Sequence, residues 1–133
     1  MEHPAQILRL DGDVSELATA RDWLRSHLAA AGADPADAVL VATELLTNAI
    51  EHGRSAPTVS LRLSADCVHL EVSDQSTAPP AIQHAPTVAG GYGLRIVDEV
   101  AAQWGWRRTA AGKVVWTELP RDPLPTGMPG VRS

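Results

Sequence analysis

The sequence predicts an α+β two-layer sandwich, with helices covering one face of a mixed, mostly antiparallel sheet. Three observations lead there. Two long helical patterns stand side by side early in the chain, ahead of most of the strands. The later strands come as hairpin-like pairs, residues 58–63 with 68–73 and 104–109 with 113–119. Regular strand–helix alternation, which a doubly wound dinucleotide-binding fold requires, is missing.

Each element has a local reason. A short strand is expected at 7–10, ended by Asp11, Gly12 and Asp13. From 15 to 31, Leu17, Leu24, Leu28 and Ala31 recur at helical spacing and give one buried face. Gly32 then offers a left-handed stop. The second helix is better marked. Asp34 suits the N-cap, Pro35 the first helical position and Asp37 the positive end of the dipole, while Gly53 can close the helix after His52.

Strands 58–63 and 68–73 are rich in alternating or β-branched residues, with Ser64, Ala65 and Asp66 as their turn. From 74 to 91 the pattern dissolves into prolines and glycines, a length of loop that tends to be functional. A third helix is expected at 93–103, followed by a closing hairpin around Ala110, Ala111 and Gly112. Trp104 and Trp106 share a face of that hairpin and read as core packing, a partner surface being the alternative.

The 133 residues suit one domain with one core. Its expected extent is 1–119, with a Pro/Gly-rich, disordered tail at 120–133. No apolar run is long enough to span a membrane, and the N-terminus does not read as a signal peptide, so a cytoplasmic location is expected. Cys67 is the single cysteine and has no internal disulfide partner. The net charge of −5 argues against direct nucleic-acid binding, and Arg107–Arg108 is the one adjacent basic pair.

Three segments carry chemistry. On the second helix Glu44, Asn48 and His52 recur every fourth residue and form one stripe. Asn48 and His52 project within about 20° of apolar Val41, whereas Glu44 lies further out. Polar groups at the edge of a core need partners, which a hydrated cation with phosphates would supply; water or backbone would serve equally. Gly90-Gly91-Tyr92-Gly93-Leu94 precedes the third helix, where glycines let a ligand approach the chain and helix N–H groups suit phosphate. No Lys follows its last glycine, so it is not a Walker loop. Asp74 ends a strand at the mouth of the long loop, as a turn-initiating Asp would, and a carboxylate there can accept from an exocyclic amine.

Together these segments resemble the Bergerat-fold (GHKL) ATPases shared by histidine kinases and Hsp90, and most of all the small anti-sigma-factor serine kinases of the SpoIIAB and RsbW type. Glu44-Leu-Leu-Thr-Asn48-Ala-Ile-Glu-His52-Gly53 looks like the family's N box, Val72-Ser73-Asp74 like its first glycine box, and Gly91-Tyr92-Gly93-Leu94 like its second. The resemblance implies ATP and Mg²⁺ as cofactors. Asn48 would hold the metal, Glu44 would act as general base or polarise the attacking hydroxyl, and Asp74 would accept from adenine. Gly91, Gly93 and Leu94 would complete the nucleotide site. It further implies a kinase acting on an anti-anti-sigma partner of the STAS type, sequestration of a sigma factor, and a possible homodimer.

The chain also departs from that pattern. The family's first box reads Asp-x-Gly-x-Gly, whereas Asp74-Gln75-Ser76-Thr77-Ala78 lacks both glycines. Val114 stands where the family has a Thr that helps bind adenine. A second function therefore stays open: a degenerate domain that binds a protein partner with weak ATP binding or none.

Overall fold

A computed structural model describes residues 4–53, 56–76 and 94–124. Period-2 alternation decides which side of the sheet becomes core. In strand β3 (Cys67–Asp74) the residues Val68, Leu70 and Val72 are at most 2% exposed, and the intervening ones are only half-buried. Around it lie β1 (Gln6–Arg9), β2 (Thr58–Leu63), β4 (Gln103–Arg108) and β5 (Lys113–Pro120) in the order β1-β2-β3-β5-β4. Every pairing is antiparallel, so the mixed sheet expected from sequence has no parallel pair among the described residues.

Helices α1 (Glu16–Ala30), α2 (Ala36–Gly53) and α3 (Leu94–Val100) supply the other layer. Leu24 and Leu28 of α1, Val41 and Leu46 of α2 and Val97 of α3 join Leu61, Leu70 and Leu119 of the sheet in one core. Trp104 and Trp106 pack against it, as expected. Trp116 faces the opposite side and stacks on His69, with ring centroids 6.4 Å apart. On that side Glu71 is held between His69 and Arg107. Burial pushes its carboxyl up, but the hydrogen bonds with His69 and Arg107 outweigh it and hold the group below its ordinary value.

Two carboxylates, Asp13 and Glu16, tie down the turn that leads into α1. Ser15 N–H donates to the Asp13 carboxylate at 2.9 Å, and the Glu16 carboxylate accepts from the N–H groups of Asp11, Gly12 and Asp13. These bonds lower the Glu16 carboxyl from its ordinary value, that from Asp11 most. Such a group stabilises fully above the unfolded value and loses its contribution as pH falls through the folded one. Glu16→Gln is accordingly expected to lower the urea midpoint at about pH 7, with the deficit shrinking as pH falls below the ordinary carboxylate range. A difference that persists in acid would rule out the carboxylate as its source.

α1 stops at Gly32, whose φ of 75° lies in the left-handed region. Gly32 N–H reaches Ala29 C=O and Ala33 N–H reaches Leu28 C=O, a Schellman closure. The third helix is shorter than expected. It ends at Val100 because Ala102 N–H already bonds Glu118 C=O and commits the chain to β4.

The tail also begins later than the composition suggests. Pro120 still belongs to β5, and Arg121 reaches Ser64 C=O and Ala31 C=O at 2.7 Å each. Asp34 N–H bonds Asp122 C=O, and Leu124 N–H bonds Gly32 C=O. Residues 121–124 therefore strap the end of α1 to the β2–β3 turn, while 125–133 lie outside the described residues. Arg121→Ala leaves both part-buried carbonyls without their charged donor and is expected to cost about 2 kcal/mol in urea unfolding. An unchanged midpoint would show that the strap contributes nothing.

Candidate functional site

The long axis of α2 carries the site. Near its start, Ala36, Asp37 and Ala38 share a small cleft with Val68, Leu119 and Pro120. Beyond its end the chain enters β2 at Thr58, which pairs with Ser73. The helix therefore runs lengthwise over β3. At about 1.5 Å per residue Asn48 lies roughly 18 Å along it from Ala36. At about 3.3 Å per residue Asp74 lies roughly 20 Å along β3 from Val68. Asn48 and Asp74 thus reach the same end of the sandwich, with Glu44 one helical turn behind.

Rotation about the axis matters equally. Thr43 marks the flank against α1, because its hydroxyl accepts from Arg21 Nε at 3.2 Å. Asn48 lies about 140° round from Thr43. It is half-buried, and among the described residues its side-chain amide has no hydrogen-bond partner. Glu44 is also half-buried. The edge-of-core stripe read from sequence is present for these two, and the side chain of His52 lies outside the described residues.

Asp74 continues the core-facing row of β3 and is 8% exposed. Its Oδ1 accepts from Ser76 N–H at 2.8 Å, so the residue does initiate a turn. Its main partner is one the sequence did not reveal. Lys113, the first residue of β5, pairs directly with Asp74, and its Nζ lies 3.1 Å from Oδ1 and 3.0 Å from Oδ2. Val114 pairs with Ser73 and so points to the other face of the sheet. The side chain beside the Asp74 carboxylate is therefore that of Lys113, not of Val114. Strand alternation in 113–119 carries the signal, but only once β5 is known to lie against β3.

Leu94 is 1% exposed and belongs to the core, so its side chain packs the fold. Gly91 and Gly93 lie outside the described residues. Among the described residues no group of three or more His, Cys, Asp or Glu could hold a metal. An ion at Asn48 would take its other oxygens from phosphate and water, which is how Mg²⁺ is commonly bound. The amide of Asn48, without a partner among the described residues, and the buried acceptor of Asp74 fit a magnesium nucleotide in kind.

No helix among the described residues is long and apolar enough to cross a membrane. Comparison with known proteins agrees with the architecture. The RsbU and RsbW domains of Rv1364c from Mycobacterium tuberculosis are similar in fold, with a TM-score of 0.69 and 24% identity. The likeness covers 91% of this chain and 34% of that one, so the chain spans about a third of its length. No curated protein matches. Residues 10–118 match the histidine kinase-like ATPase domain, and the chain belongs to that family.

Proposed function

We propose that the chain is an ATP-binding regulatory domain that acts as a serine/threonine protein kinase on an anti-anti-sigma partner of the STAS type, and that it sequesters a sigma factor. The observation that carries this reading is that Asn48 and Asp74 reach the same end of the sandwich, the first half-buried with no hydrogen-bond partner for its amide among the described residues, the second a buried carboxylate at the end of β3. Bound Mg-ATP would supply the phosphoryl group, with the metal offsetting its charge. Asn48 would hold the ion, Asp74 would accept from the adenine amine, and Glu44, a turn away, would orient the hydroxyl of the protein substrate. Gly91 and Gly93, which lie outside the described residues, would contact the phosphates. The match of residues 10–118 to the histidine kinase-like ATPase domain supports the nucleotide part of this reading.

Calorimetry with Mg-ATP, followed by transfer of labelled phosphate to STAS-type proteins, tests it. Glu44→Ala is expected to abolish transfer and to leave ATP binding within about threefold of the parent. Absence of transfer to any such partner sinks the kinase, and absence of binding sinks the nucleotide site. The Asp74–Lys113 ion pair favours a second reading, in which the domain holds its partner with little or no help from nucleotide. Sigma-factor or STAS-protein capture that is indifferent to Mg-ATP and to Glu44→Ala would establish that one.

A further inference from the structure

Asp74 and Lys113 form the last cross-strand pair of β3 and the first of β5, on the face that carries Val72 and Val115. A carboxylate offers about four lone-pair directions. At Asp74 one is taken by Ser76 N–H, and the Lys113 ammonium lies within bonding distance of both oxygens. The two side chains are 7% and 5% exposed, so water screens the pair little. A charge-assisted bond of this kind is roughly twice as strong as one from a neutral donor. An exocyclic amine arriving at Asp74 therefore meets an acceptor already held by a better donor. The neighbouring residues on that face, Leu70, Val72 and Val115, give the ammonium no second anion.

We propose that Lys113 is a built-in competitor of the nucleobase: it sets nucleotide affinity by occupying the carboxylate that an adenine amine needs. Binding of the base is then an exchange of an ammonium for an amine at Asp74. The inference rests on the nucleotide-site reading given above, and adds to it the residue that governs how well the site works.

Calorimetric titration of the full chain with Mg-ATP and with purine riboside triphosphate, which keeps the phosphates and lacks the amine, tests it. The parent is expected to bind the two within about threefold of each other, since both carboxylate oxygens already bond the ammonium. Lys113→Thr is expected to bind ATP about tenfold more tightly than the parent, with no such gain for the amine-free nucleotide. Asp74→Asn in that background is expected to remove the gain. A purely structural ion pair would not separate the two nucleotides. A parent that already prefers ATP by about tenfold, or a folded Lys113→Thr protein that gains nothing, overturns the role of Lys113 and leaves the nucleotide site standing. The parent comparison needs no variant, so it decides the matter even if Lys113→Thr does not fold. Failure of both nucleotides to bind the parent and Lys113→Thr would remove the site itself.

Discussion

Lys113→Met is expected to unfold with about 3–5 kcal/mol less free energy than the parent, the loss typical of stripping one partner from a buried ion pair. Methionine keeps much of the apolar stem, so the cost falls on the charge. The Asp74 carboxylate, 5% exposed in its side chain, would keep the Ser76 N–H as a donor. Asp74→Asn exposes the opposite fault, an ammonium buried with no anion beside it. The double variant Asp74→Asn/Lys113→Met removes both charges and is expected to recover most of the loss, because a neutral pair has no charge to desolvate. Urea unfolding of the four proteins closes the cycle. Single variants within about 1 kcal/mol of the parent would mean that the pair is screened as a surface bridge is. The competition proposed at Asp74 would then lose its physical basis as well.

That pair also shows where a single sequence stops being informative. Local signals were legible and held. The Asp34 carboxylate accepts from Ala36 N–H at 3.0 Å at the start of α2, and Gly32 turns left-handed after α1. Strand β2 spans the residues that alternation assigned to it. The stripe of Glu44 and Asn48 was legible too, since helical periodicity alone puts both at the edge of the core. Partners distant in sequence were not. Asp74 and Lys113 are brought together by a pairing between β3 and β5, strands separated by a helix and another strand. Nothing local in either strand encodes that neighbour. Arg121 was hidden for a related reason. Proline-rich composition argued for disorder, while the bonds that order it go to Ser64 and Ala31, far back in the chain. Glu16 is the exception. Asp13-x-x-Glu16 is a local capping signal, overlaid on the Asp11-Gly12-Asp13 run that ends the first strand.

Gly112→Ala is expected to cost about 3 kcal/mol, the upper end of the usual range for overpacking. The sequence suggests that this glycine serves the β4–β5 turn, and the turn does close there, with Thr109 N–H bonding Gly112 C=O at 3.0 Å. Its φ is not in the left-handed region, however, so conformational freedom is not the reason for it. Close approach is. A Cβ at Gly112 would overlap the carbonyl oxygen of Asp74 and stand 2.5 Å from Gln75 Cα. Both are backbone atoms at the end of β3, and neither can rotate away. Relief would have to come from moving the hairpin off β3, which shifts Asp74 relative to Lys113. Gly105→Ala is the matching control. Its Cβ would stand 2.8 Å from the outer ring of Trp116, a side chain that can yield, and a cost of about 1 kcal/mol is expected. Urea unfolding separates the two cases, and calorimetry adds a second readout. If Mg-ATP binds the parent, Gly112→Ala should change its affinity while Gly105→Ala leaves it alone, because only the first disturbs the end of β3. Equal costs for the two glycines would show that the hairpin is free to move, and that the Asp74 end of the sheet is not held by contact with it.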